Sequence, residues 1–213
     1  MVNVAVIDYD MGNLHSACKG LEKAGAVSKI TNSPQDILSA DAVVLPGVGA
    51  FDPAMQHIRE LNLEETIKRA AASKPFLGIC LGLQILFDSS EEGMERGLGI
   101  VPGIVRRFKS EPNIAIPQMG WNQLEFSQPQ DELWRDLPRD PYVYFVHSFY
   151  VEPQEPNLNS AMVTHGSQTV TAAIARDNLM AVQFHPEKSS DNGLKILANF
   201  VTVVKNRQNL VAH

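Results

Sequence analysis

The 213-residue chain is long enough for one α/β domain of ordinary size or two small ones. With 44% hydrophobic and 20% charged residues it reads as globular, and a formal net charge of −6 argues against a nucleic-acid or anionic-membrane binder, which would carry a basic face. No apolar run approaches the ~18–20 residues that span a bilayer. The opening "MVNVAVIDYD" lacks the basic start and cleavage site of a secretory leader, so a cytoplasmic location is expected. The two cysteines, Cys18 and Cys80, lie far apart and are expected to be reduced thiols.

In chain order, "VNVAVID" is a short β-branched run and predicts a buried strand. "YDMGN" is a turn. In "LHSACKGLEKAG" the residues Leu14, Cys18, Leu21 and Ala24 fall near helical spacing, with Gly25 placed to stop the helix. Cys18 therefore belongs on an inner helix face, as a small core residue. "VSKIT" predicts a second strand, Ser33-Pro34 a helix start, and "DAVVLP" a third strand followed by the glycine loop "GVGAF". "DPAMQHIRELNLEETIKRAAAS" is helical with a break near Asn62. "KPFLGI" predicts a fourth strand ending at Cys80, and "LGLQILFDSS" the next helix. Strands alternating with helices point to a mainly parallel, doubly wound α/β sheet flanked by helices.

From about residue 95 to 185 the pattern changes to short strands and turns: "GIVRRF", "WNQLEF", "YVYFVHSFYV", "AMVTH", "TAAIAR" and "MAVQFH". These predict an antiparallel extension of the sheet in the C-terminal half. A final helix, "NGLKILANFVTVVKN", places Leu194, Leu197, Phe200, Val201 and Val204 on one face. With no internal repeat and no low-complexity linker, residues 1–213 are expected to form a single domain.

Ligands of open parallel sheets bind beyond the carboxyl ends of the strands, and three features map there. The first is "GICLG", Gly78 to Gly82. A strand turning sharply into a helix exposes one side chain and needs small neighbours on either side, as in the nucleophile elbow of hydrolases. A helix N-terminus just after Cys80 would favour its thiolate. Alone, the pentapeptide fits a packed turn equally well. The second feature is "QFHPEKSS". In an extended backbone His185 and Glu187 point the same way, and Pro186 would hold the segment out of a helix. A carboxylate on the same face as a histidine fixes its tautomer and steadies its imidazolium, completing a Cys-His-Glu triad. The third is "LPGVGAF", a loop able to turn backbone amides toward a developing oxyanion, with the Leu81 amide as second donor. Its length and lack of a Lys-Ser/Thr pair argue against phosphate binding. The histidines His15, His57, His147, His165, His185 and His213 form no short-spaced cluster, so no metal site is expected.

In this order and spacing, "LPGVGAF", "GICLGLQ" and "FHPEKS" resemble the class I, or triad, glutamine amidotransferases over essentially the whole chain. "IDYDMGNLHSACKGLEKAG", "PQMGWNQ" and "YFVHSFY" are similar to one subfamily, the glutaminase subunits of imidazole glycerol phosphate synthases. The resemblance implies Cys80 as nucleophile, His185 as general base and acid and Glu187 as orienting carboxylate. It implies Val48 and Leu81 as oxyanion amides, and Gly49, Gln84, Ser148 and Phe149 as the glutamine site. Asn13, Met119, Trp121, Asn122, Tyr144 and Lys188 would face a partner, a (β/α)8-barrel cyclase subunit forming a heterodimer with this chain. It implies no cofactor, no nucleic acid and no membrane, and an isolated glutaminase that is nearly silent. A glutaminase subunit serving another ammonia-using synthase would carry the same triad. Two positions depart from the pattern: Asp10 stands where the family has glycine, and Gln118 where histidine is common. Aspartate tolerates φ > 0 better than most residues, so the turn is expected to survive. Both departures are expected on the partner-facing side.

Overall fold

The computed structural model describes residues 1–211. β1 (Val2–Ile7), α1 (Leu14–Lys23), β2 (Ala26–Thr31), α2 (Pro34–Ser39), β3 (Ala42–Gly47), α3 (Phe51–Glu60), α4 (Glu64–Ser73) and β4 (Phe76–Cys80) follow in order. Every residue of β3 and β4 is buried, as suits parallel strands covered on both faces. Ser33 caps α2 by accepting from the Asp36 N–H, with Pro34 in the first turn. Gly25 ends α1 at φ 89°, donating its N–H to Glu22 O. Cys18 is buried on the inner face of α1. The predicted break falls at Asn62, whose φ of 54° lets the Leu63 N–H reach back to Ile58 O and start a second helix.

The next helix departs from expectation. α5 (Leu81–Gln84) is a single turn rather than a run through Ser90. Leu86 and Phe87 close tighter turns on Leu83 and Gln84, and the carbonyls of Ile85 and Leu86 accept N–H groups from Leu98, Ile100 and Val101. The returning loop thus takes the acceptors that a longer helix would have used. Apolar content alone could not distinguish a helix from this buried turn.

The remainder comprises β5 (Ser89–Ser90), β6 (Gly103–Arg107), β7 (Gln118–Gln123), β8 (Glu125–Phe126), β9 (Tyr142–His147), β10 (Phe149–Pro153), β11 (Asn159–His165), β12 (Gln168–Arg176), β13 (Leu179–Val182) and α6 (Ser190–Val211). The main sheet has the order β2-β1-β3-β4-β13-β12-β10-β6-β5, with β11 on β12 and β8 on β11. The first five strands along it are parallel, and β12, β10, β6 and β11 pair antiparallel. The antiparallel extension is therefore present, with one difference. "YVYFVHSFYV" splits at Ser148 into β9 and β10, and β9 leaves the main sheet to pair with β7 as a separate two-stranded ribbon. On α6, Leu197, Phe200, Val201 and Val204 are buried and Leu194 is half-buried. Among the described residues no helix is long and apolar enough to cross a membrane.

Candidate active site

Three loops separated along the chain become neighbours because β3, β4 and β13 are adjacent strands. Gly47 registers with Cys80, and Val182 with Ile79, so "PGVG", Cys80 and the segment leading to His185 leave the sheet side by side. They emerge at the carboxyl ends of parallel strands, where the topology leaves a crevice.

Cys80 occupies a strained backbone, φ 55° and ψ −111°. Such a conformation costs roughly 1–3 kcal/mol and persists only when its surroundings impose it. Here they do. A Cβ on Gly82 would strike the Leu45 carbonyl, and one on Gly78 would meet Gly82 O at 2.9 Å and Ala181 Cβ at 3.0 Å. The two glycines flanking Cys80 are therefore required by packing, which makes the pentapeptide a nucleophile elbow in geometry. The expected aid from a helix dipole is small, because α5 has only four residues.

His185 and Glu187 meet by a different route from the one expected. Pro186–Lys188 is a 3-10 turn opened by Pro186, not an extended strand end. The turn folds the carboxylate back onto the ring, and His185 Nδ1 donates to Glu187 Oε1 at 2.7 Å with both side chains buried. Ser189 fixes the turn by donating to His185 O at 2.6 Å and accepting from Tyr144 N at 2.9 Å. His185 Nε2 has no hydrogen-bond partner of good geometry among the described residues, and the ring stands beside the Cys80 thiol. Burial disfavours the imidazolium, but Cys80 and then Glu187 outweigh it and raise the His185 pKa to about 9. At neutral pH the ring therefore holds a proton, ready for donation.

A cavity of about 300 Å³ opens over the sulfur. Val48, Gly49, Cys80, Leu81, Gln84, Ser148, Phe149 and His185 all line it, while Glu187 sits behind His185. Its lining includes two more residues that the sequence did not single out. Glu92 lines the cavity and accepts the Phe51 N–H at 2.9 Å through Oε2. His147 lines it too, buried and held down to a pKa of about 4 by desolvation. A third overlooked residue, Tyr9, lies beneath the glycine loop. Its hydroxyl has no partner among the described residues and fills the space a Gly47 Cβ would need. Burial, with Cys80 nearby, pushes that phenol far above its usual range. Nothing in the order "IDYD" signals this, because the approach of Tyr9 to Gly47 is made only when β1 and β3 pair.

Of the residues expected to face a partner, Met119 and Trp121 are exposed by 66% and 53%, and Trp121 meets Tyr144 edge-to-face at 6.2 Å. Lys188 is exposed and Asn13 half-buried at the start of α1. Asn122 is half-buried, its amide donating to Thr164 O at 2.8 Å. Asp10 has φ 64°, the left-handed turn anticipated for it. Gln118 is not on the surface: it is only 3% exposed and faces His147 across the ribbon. Strand alternation places it inward while its neighbour Met119 points out. Among the described residues no group of three or more His, Cys, Asp or Glu could hold a metal, and His213 lies outside those residues.

Comparison with known proteins identifies the family. The sequence model for glutamine amidotransferase class-I matches residues 5–204. A protein of Microcystis aeruginosa named imidazole glycerol phosphate synthase subunit HisH is 71% identical over 206 residues, covering 96% of this chain and 97% of that one. A protein of the same name from Gloeothece citriformis is 68% identical, covering 96% and 98%. Among solved structures, a putative GMP synthase subunit from Thermoplasma acidophilum aligns with a TM-score of 0.75 at 18% identity, covering 100% of this chain and 98% of that one. PurLQS from Thermotoga maritima aligns at 0.74 and 19%, covering 96% and 100%, and both likenesses speak to the fold alone. The chain belongs to the class I glutamine amidotransferase family.

Proposed function

We propose that this chain is the glutaminase subunit of an imidazole glycerol phosphate synthase, acting in the cytoplasm as one amidotransferase domain over residues 1–213. It hydrolyses L-glutamine and delivers the ammonia to a (β/α)8-barrel cyclase subunit for histidine biosynthesis. The observation that carries the reading is the meeting of Cys80, the His185–Glu187 pair and the glycine loop at one cavity. Assignment to this synthase is supported by 71% identity along nearly the whole chain to a protein of that name.

The chemistry follows from the atoms present. Cys80 Sγ, as thiolate, attacks the side-chain amide carbon of glutamine, and the carbonyl electron pair moves onto oxygen. The Val48 and Leu81 N–H groups receive that oxyanion; losing one such donor typically costs roughly 100–1000-fold. His185 Nε2–H gives its proton to the amide nitrogen, the C–N bond breaks and ammonia leaves a γ-glutamyl thioester. Water then attacks the thioester while Nε2 takes its proton. The second tetrahedral adduct collapses, expelling the thiolate and glutamate. Throughout, Glu187 keeps the Nδ1 proton in place, so Nε2 is the working nitrogen. Gly49, Gln84 and the Ser148–Phe149 backbone hold the substrate, and the Glu92 carboxylate offers the charge its ammonium group needs. No cofactor enters any step.

Met119, Trp121, Asn122, Tyr144, Lys188 and Asn13 form the docking face. The test is glutamate release by this chain alone, then with the barrel protein and its nucleotide substrate, beside synthase activity fed by ammonia or by glutamine. Strong stimulation of glutamate release is expected on mixing. Full activity of the isolated chain would sink the dependence on a partner, and no stimulation by that barrel protein would sink the assignment to this synthase.

A further inference from the structure

A buried run of polar groups reaches from the β7–β9 ribbon to the sulfur of Cys80, and none of the steps above uses its innermost member, Gln183. Gln183, fully buried just beyond β13, places Nε2 3.7 Å from Cys80 Sγ. Its Oε1 accepts from Gln84 Nε2 at 3.0 Å. The same Gln84 nitrogen donates to Phe149 O at 3.1 Å, and His147 Nδ1 donates to that oxygen at 2.7 Å. His147 Nε2 in turn faces the Gln118 carboxamide at 3.1 Å.

Chemistry fixes the direction of each bond. A backbone carbonyl only accepts, so His147 carries its proton on Nδ1. The ring is neutral at pH 7, because burial holds its pKa near 4, and Nε2 is then an acceptor. A half-turn of the Gln118 carboxamide gives that nitrogen an N–H and ends the isolation of Gln118 Nε2, which otherwise has no partner among the described residues. At the inner end the logic is the same. Gln84 Nε2 must donate, so Gln183 turns its oxygen to Gln84 and has only N–H to offer the sulfur. A thiol is a weak acceptor and a thiolate a strong, charged one, for which hydrogen bonds are roughly twice as strong. The α5 dipole is too short to supply this stabilisation.

We propose that Gln183 is a further catalytic residue, whose side-chain N–H stabilises the Cys80 thiolate, and that Gln84 locks it in the donating orientation. The assignment rests on the reading of Cys80 as nucleophile. A plain packing role would leave the ionisation of the sulfur unaffected.

The test is the pH dependence of Cys80 alkylation by iodoacetamide in the full chain, followed by peptide mass spectrometry to separate Cys80 from Cys18. Gln183→Met keeps the length and removes the donor. Its alkylation rate at a fixed near-neutral pH is expected to fall about threefold, the smaller thiolate fraction being partly offset by its greater nucleophilicity. A folded Gln183→Met with the wild-type profile overturns the proposal, whatever its melting temperature. Should that variant not fold, the wild-type chain labelled with nitrogen-15 decides. The Gln183 side-chain amide protons are expected to shift as Cys80 ionises and to stay still in Cys80→Ala; stationary signals in the wild type overturn the proposal. Glutamate release by Cys80→Ala would instead refute the nucleophile itself. An inactive Cys80→Ala beside an unchanged Gln183→Met profile refutes only the role of Gln183.

Discussion

The cavity has two walls, and each contributes one buried imidazole. On the wall made by the ends of β4 and β13, His185 has its pKa raised to about 9; on the ribbon wall, His147 has its pKa lowered to about 4. Both rings are nearly inaccessible, so burial opposes charge on each. The difference lies in their partners. His185 has a carboxylate at 2.7 Å and a thiol beside it, groups that reward a proton. His147 has a carbonyl and a carboxamide, which satisfy a neutral ring. One wall holds a ring that favours a proton, and the other a neutral ring bonded to the backbone of Phe149.

The comparison is broken most severely at the sulfur. Cys80→Ala in the complex is expected to lose glutamine-dependent activity by about 10⁴-fold or more while ammonia-dependent synthesis persists, measured by paired assays with the two nitrogen sources. Glu187→Gln removes the charge behind His185. Turnover should fall by about 10³–10⁴-fold, and nuclear magnetic resonance titration should show the His185 pKa moving down toward the ordinary histidine range. A titration of that ring unaffected by the substitution would deny Glu187 its role.

Stability against pH separates the two rings by sign. The folded pKa of His147 lies below its unfolded value, so its contribution is complete above about pH 6.5 and is lost as pH falls through about 4. That limb amounts to about 3 kcal/mol, measurable as unfolding free energy in urea at stepped pH. For His185 the folded pKa lies above the unfolded one, so its contribution is complete below about pH 6.5 and is lost as pH rises through about 9. A His147→Leu variant should lack the acid limb and keep the alkaline one. The smallest effect is expected at the rim of the ribbon wall. Trp121→Ala should weaken binding of the barrel protein by about tenfold, read by calorimetry, and leave unfolding in isolation nearly unchanged.

What can be read in the chain differs between the two walls for the same reason. The wall carrying His185 is announced by "GICLG" and "FHPEKS", because a nucleophile elbow and a triad need particular residue types at short spacings. Even there the local geometry departs from the pattern: Pro186 opens a 3-10 turn, and the helix after Cys80 stops at Gln84. The ribbon wall announces little. "YVYFVHSFYV" reads as one strand, yet it divides at Ser148 between two sheets, and Gln118 turns inward toward His147. Glu92 and Tyr9 reach the site through contacts with Phe51 and Gly47.

By itself, then, the sequence determined the alternation of buried strands and helices, the glycines that force Cys80 into its strained turn, and the three residue types, Cys80, His185 and Glu187, that the fold brings together. Each depends on local sterics or on residue type. Only the tertiary structure decided that β13 lies beside β4, bringing Gln183 to the sulfur and His185 to the cavity, and that His147 is neutral while His185 is charged. Pairing of distant strands depends on how whole layers bury their apolar faces. The charge on an imidazole depends on what that burial leaves beside it.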